Sequence, residues 1–271
     1  MFELPGGYQP RSGAPIARSV TPGELNGAIE LAVCEALESP SKPEAVSMVL
    51  SQLISRIGGN ETNAEMMSEL SVADRTYALM QLGLSFGYSH YWRSAVCQAC
   101  DEQFDVSIDL AAIETGTRPE TFPEMRLEAS LGPLILRAPT GADQSAICDI
   151  DSDEQACLAL LARCLRTEGG DDVDLQRLTK RDVDLIEAAL DELALGIPLM
   201  ATAACPNCGT ENSVRFAADQ WLSYFSGELL DHVHEIATSY HWSEAEILNL
   251  SRDRRLSYLR RLGVLGEDEW Q

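Results

Sequence analysis

Two Cys-x-x-Cys pairs are the residues of this chain best suited to chemistry: Cys97 with Cys100, and Cys205 with Cys208. Thiolate sulfur is a soft ligand, and two thiolates at this spacing supply half of a tetrahedral set. Each pair lies between runs that read as strands. Residues 90–96 precede the first pair, and residues 104–109 follow it with apolar and polar side chains alternating. Residues 199–204 precede the second pair, and Val214, Arg215 and Phe216 follow it. A tight turn carrying two thiolates at a hairpin tip is half of a zinc ribbon. The two halves are expected to meet around one structural Zn2+, with Cys97, Cys100, Cys205 and Cys208 as ligands. A redox dithiol would instead open a helix after a strand. The spacer of roughly 100 residues is long for a ribbon, but loop-closure entropy grows only with the logarithm of length.

The other four cysteines read as structural. Cys157 and Cys164 fall on a helical apolar stripe with Leu160, Leu161 and Leu165, which predicts burial. Cys34 and Cys148 lie in helix-like stretches with no partner motif. A disulfide framework is not needed, because a chain of this length buries a core unaided.

Catalytic patterns are not found. The Gly-Gly pairs lack the lysine and the strand–helix setting of a phosphate loop, and Lys42 and Lys180 are the only lysines. The run from Asp149 to Asp153 opens like a calcium loop, but Glu154 and Leu160 stand where that loop needs Gly and Glu. There is no Gly-x-Ser-x-Gly elbow. His232 and His234, two apart on a helix, face different directions. His234 and His241 read as hydrogen-bonding a helix–helix turn around Tyr240 and Trp242. The chain is expected not to be an enzyme.

Charge narrows the partners. Against 43 acidic residues stand 20 basic ones, for a net charge of −23, so a polyanion would be repelled and no nucleic-acid partner is expected. No run approaches the roughly 18 apolar residues of a membrane span, and the start has no basic region followed by an apolar one. No membrane partner is expected, and a reducing cytoplasm is the consistent compartment. Arg252, Arg254, Arg255, Arg260 and Arg261 form one basic cluster. It reads either as a solvated face balancing an acidic body or as a docking surface, since arginine is enriched at interfaces.

The elements that must position the cysteines divide the chain into four. Residues 1–20, rich in Pro, Gly, Ser and Arg, read as a flexible arm. Residues 21–89 read as helical, opening with Thr21-Pro22-Gly23-Glu24 as a capping box, with Gly58 and Gly59 stopping a second helix and Ser71 capping a third. Residues 90–217 hold the two knuckles as a split zinc-ribbon-like region. Inserted there are a hairpin turning near Gly132 and helices capped by Thr140, Ser152 and Thr179. Residues 218–271 read as helical, with Trp221, Phe225, Leu229, Val233, Ile236 and Tyr240 on one stripe and Ser243 as a later cap. The fold class is α+β, helix-dominated.

Several stretches together resemble the baseplate hub assembly proteins of contractile-tailed, T-even type phages and their relatives in bacterial contractile injection clusters. They are Leu136-Arg137-Ala138-Pro139-Thr140-Gly141-Ala142-Asp143, Leu160-Leu161-Ala162-Arg163-Cys164-Leu165, Cys205-Pro206-Asn207-Cys208-Gly209, and the run from His234 through Trp242 to Leu248, followed by Arg254-Arg255 and Tyr258-Leu259. The resemblance spans about residues 70–262. It implies a non-enzymatic assembly factor (a chaperone) or a minor hub component, contacting baseplate hub or spike proteins in a bacterial or phage-infected cytoplasm, with retention in the finished particle as an extension. The partner contact is expected between Trp221 and Leu262, with the arginines at its edge. The competing reading is a free-standing zinc-ribbon adaptor or regulatory protein.

Overall fold

The computed structural model describes residues 1–9, 15–116, 118–198, 200–216, 218–225 and 229–265, the side chains of 215 and 223–225 excepted. The fold is mixed, 45% helix and 25% strand, so the helix dominance expected from sequence holds only in part. Every described strand pairing is antiparallel.

The N-terminal region begins with β1 (Phe2–Tyr8) and β2 (Ala17–Pro22). These strands correct the flexible arm expected at residues 1–20, of which 10–14 lie outside the described residues. Leu4 and Val20 are fully buried. The prolines and glycines that read as disorder serve close packing instead: a Cβ on Gly6 would lie 2.5 Å from Asp74 Oδ2. Pro5 costs no ladder bond to a central strand, because β1 is the sheet edge.

Thr21 and Pro22 end β2 rather than starting a helix. Asn26 caps α1 (Gly27–Leu37), its side chain accepting from the Ile29 N–H at 2.9 Å. Helix α2 (Lys42–Leu53) stops short of the glycines, because β3 (Ile54–Ile57) pairs with β2. Gly58 and Gly59, at φ 57° and 90°, make the two-residue turn into β4 (Asn60–Glu61). After α3 (Ala64–Glu69) comes α4 (Val72–Ser85), capped by Ser71 as the sequence predicts. Leu50, Ile54, Met67, Met80 and Leu82 fill the core between sheet and helices.

Two hairpins and an inserted unit follow. β5 (His90–Val96) pairs with β6 (Gln103–Asp109). β7 (Glu124–Ala129) and β8 (Gly132–Arg137) turn at Gly132, φ 106°, as expected. α5 (Gly141–Ile147) and α6 (Asp153–Cys164) lead into β9 (Leu165–Thr167), which joins β8, and α7 (Lys180–Leu193) completes this unit. The capping boxes at Thr140/Asp143 and Thr179/Asp182 both form. This insertion has its own core of Leu127, Leu134, Leu136, Leu161, Ile186 and Leu193. Cys164 belongs to it, but Cys157 is exposed, contrary to the stripe: α6 buries only Leu161 and Cys164, in its C-terminal half. Cys148, at the end of α5, is exposed as well.

β10 (Met200–Ala204) and β11 (Glu211–Arg215) form the second hairpin. A 3-10 turn (Gln220–Phe225), α8 (Leu229–Tyr240), α9 (Glu244–Leu248) and α10 (Arg252–Leu262) end the chain. The apolar stripe predicted from Trp221 to Tyr240 is divided between two cores. Trp221 and Leu222 enter the N-terminal core, where the indole N–H donates to Leu79 O at 3.0 Å. Leu229, Val233 and Ile236 pack with Ile247 and Leu259. The side chain of Phe225 lies outside the described residues. The arginine cluster is also not one surface. Arg255 is wholly buried and paired with the buried Glu30 of α1, whereas Arg254 and Arg261 are exposed.

Candidate metal centre

The two cysteine turns are near copies in backbone. In the first, the Cys97 N–H donates to Glu102 O and the Asp101 N–H to Cys97 O, both at 2.9 Å. In the second, the Cys205 N–H donates to Thr210 O and the Gly209 N–H to Cys205 O, again both at 2.9 Å. The residue after each second cysteine is left-handed, Asp101 at φ 58° and Gly209 at φ 74°. Glycine adopts that conformation without steric cost, and aspartate is among the few other residues that tolerate it. The first turn therefore reaches the same geometry without the Pro and Gly of the second.

The four sulfurs converge across the roughly 100-residue spacer. All lie within 4.8 Å of one another. Cys97 Sγ is 3.6 Å from Cys208 Sγ, and Cys100 Sγ is 3.7 Å from Cys205 Sγ. A tetrahedron with metal–sulfur bonds of about 2.3 Å has edges of about 3.8 Å. These separations fit one ion and are too long for sulfur–sulfur bonds of about 2.05 Å. The fold thus brings together all four residues the sequence singled out, in a group able to hold a metal ion. Among the described residues no other such cluster of His, Cys, Asp or Glu is present.

Hydrogen bonds prepare the thiolates. The Ala99 N–H draws the Cys97 thiol down to about 6 against the effect of burial, with the Cys100 N–H, Cys208 and Asn212 assisting. The Thr210 hydroxyl and N–H lower Cys208. Cys100 moves up to about 11: the Glu102 N–H lowers it, but the sulfurs of Cys208 and Cys97 together with burial prevail. Four close thiols do not ionise together without a cation, and a bound metal supplies that charge. Cys97 and Cys205 are buried and Cys208 exposed, which puts the centre at the surface.

Sequence reasoning missed Asn212. It is buried, its Oδ1 accepts the Gln98 N–H at 3.0 Å, and its Nδ2 donates to Thr210 O at 2.8 Å with Cys97 Sγ 3.7 Å away. It clasps one turn to the other. An asparagine within a short strand, where this residue type is depleted, was the available signal. Among the described residues, Cys97, Phe104, Val106, Cys205 and Val214 make up the buried core at this junction. A core this small adds little stability at the tips, where a bound metal or cross-link is the usual supplement.

The histidines stand apart from the centre. His90 shares a hydrogen bond with Ser89 Oγ at 2.9 Å, and His232 is buried against the C-terminal core, where burial and then the charges of Arg255 and Arg252 lower its pKa. No helix among the described residues is long and apolar enough to cross a membrane. No protein-family model, curated protein or solved structure matches the chain.

Proposed function

We propose that Cys97, Cys100, Cys205 and Cys208 bind one structural Zn2+ in a zinc-ribbon-like unit, and that the chain is a non-enzymatic assembly factor. Convergence of four sulfurs at tetrahedral separations is the observation that carries the metal. Zinc prefers an all-thiolate tetrahedron, and four protein ligands leave no open position for a substrate. The ion would cross-link the hairpins β5–β6 and β10–β11 and fix their spacing.

The assembly role rests on the resemblance to baseplate hub assembly proteins, on the net charge of −23 that disfavours nucleic acid, and on the absence of a catalytic constellation in the sequence. The partner class is a hub or spike protein of a contractile phage tail or injection machine. Elemental analysis of the folded full-length protein is expected to give one zinc per chain, and a folded preparation without metal refutes the first half. Affinity capture from cells carrying the whole gene cluster tests the second. Hub or spike proteins are expected in the eluate; recovery of regulatory proteins alone would favour the free-standing adaptor.

A further inference from the structure

The two cysteine hairpins leave strand edges that nothing among the described residues pairs. In β5–β6 the Cys97 N–H bonds Glu102 O and the Leu110 N–H bonds Ser89 O. With the observed register, the odd-numbered residues of β5 bond to β6. The main-chain groups of Trp92, Ser94 and Val96 therefore point away from the hairpin. By the same count, from the bond of the Cys205 N–H to Thr210 O, Glu211 and Ser213 of β11 point away from β10. None of these five has a main-chain hydrogen bond among the described residues.

Between the edges lies a groove of about 240 Å³, lined by Arg93–Val96 on one side and Asn212–Val214 on the other. The Gln98–Asn212 hydrogen bond closes its end beside the cysteines. Natural sheets blunt exposed edges with proline, bulges or a covering element. Here both edges keep a regular register without proline. Trp92 and Val96, on one face of β5, are 58% and 60% exposed, and between them Ser94 donates to Asp105 at 2.6 Å.

We propose that this groove is a strand-addition site for an extended segment of a partner protein. The segment carries two apolar residues four apart and a cationic residue midway. Its main chain would bond Trp92, Ser94 and Val96 on one side and Ser213 on the other, the mode in which backbone gives affinity and alternate side chains give specificity. Its apolar side chains would cover Trp92 and Val96, and its cation would meet Asp105 across the strand. The inference deepens the protein-contact reading above and rests on it for the existence of a partner.

The test uses the full-length metal-loaded protein and the synthetic peptide acetyl-Ser-Val-Thr-Lys-Thr-Val-Ser-amide. Amide hydrogen exchange at Trp92, Ser94, Val96 and Ser213 is expected to slow by about tenfold or more with peptide near 1 mM. The same peptide N-methylated at alternate residues is expected to bind at least about tenfold more weakly. Ser94→Pro gives up no main-chain bond to β6, losing there only the side-chain bond to Asp105, and is expected to abolish the protection at Trp92, Val96 and Ser213. Asp105→Lys is expected to transfer preference to the peptide with Glu at its centre. Unchanged exchange at these amides overturns the proposal, as does equal binding of the methylated peptide. Metal content measured on the same samples separates this failure from failure of the metal centre.

Discussion

Replacing Glu30 is the sharpest test of how the C-terminal helices are held to the rest of the chain. Its carboxylate on α1 is 2% exposed, and Oε2 accepts from Arg255 Nη2 at 2.5 Å and from Arg252 Nη1 at 3.2 Å. Arg255 is 0% exposed and the Arg252 side chain 28%. Glu30 Oε1 and Arg255 Nε and Nη1 have no hydrogen-bond partner among the described residues. One carboxylate thus compensates two guanidiniums, one of them wholly out of water. Removing a single member of a buried pair costs about 3–5 kcal/mol, because the other charge stays buried.

The geometry ranks the members. Glu30→Gln leaves the wholly buried Arg255 without the carboxylate it pairs with and is expected near the upper end, about 5 kcal/mol. Arg255→Met leaves Glu30 paired with the better-solvated Arg252, near 3 kcal/mol. Arg252→Ala is expected to cost about 1 kcal/mol or less. Glu30→Leu with Arg255→Met removes the unpartnered atoms together and is expected to cost less than Glu30→Gln alone. Urea unfolding midpoints compared at constant slope measure the order. Equal costs for Arg255→Met and Arg252→Ala would refute the reasoning. Charge reversal at Arg255 is for the same reason no probe of a docking surface, whereas Arg254 and Arg261 are.

Asp74 supplies a pH-dependent prediction. Burial raises its carboxyl from 3.8 to about 6, against the Gly6 N–H, the Ser71 hydroxyl and the Gly7 N–H that bond it. With its folded value above its unfolded one, Asp74 takes up a proton on folding between about pH 4 and 6. Its contribution is full below the unfolded value and is lost as pH rises through the folded one. The melting temperature of the wild type relative to Asp74→Asn is expected to fall across that window, and a parallel pair of profiles would count against it. A third prediction concerns metal removal. Chelation is expected to release amide protection in β5, β6, β10 and β11 while α4 and the β1–β4 sheet keep theirs, because the N-terminal core does not include the cysteines. Simultaneous loss in both regions by hydrogen exchange would show the metal to be coupled to the whole fold.

What the sequence disclosed followed from local rules. Ser71, Thr140, Ser152, Thr179 and Ser243 all receive the N–H three residues on, as their spacing predicts. Ser41, expected from its spacing to Glu44 to cap in the same way, stands at the N-cap of α2 but makes no such bond, Pro43 fixing the first turn instead. Each Cys-x-x-Cys pair sits at a hairpin tip between the runs that read as strands, the alternation after the first pair being the clearest of them. Long-range pairing was the illegible part. Residues 54–57 continue the apolar spacing of α2 and become β3 only because Val20 and Thr21 lie alongside. The N-terminal Pro-Gly run is held as a strand by its pairing with β2 and by Asp74, far along the chain, which receives the Gly6 and Gly7 amides. A cluster of arginines likewise carries no sign that Arg255 meets a glutamate on the first helix.

Those long-range contacts also explain how a spacer of roughly 100 residues still delivers both cysteine pairs to one place. The first hairpin is anchored where Tyr91 packs edge-on against Phe216, ring centroids 5.2 Å apart, just past the second hairpin. Five residues later Trp221 stacks on Tyr88, just before the first hairpin, at 5.9 Å. The chain segments on either side of the centre are therefore fastened to each other within the N-terminal core, and the insertion folds around its own. These contacts bring the two hairpins together without the cysteines, so the proposed ion would have only the two tips left to order. That division of labour leaves the cysteine junction with the smallest buried core of the described clusters alongside that of the C-terminal helices, which is where a bound ion would contribute most.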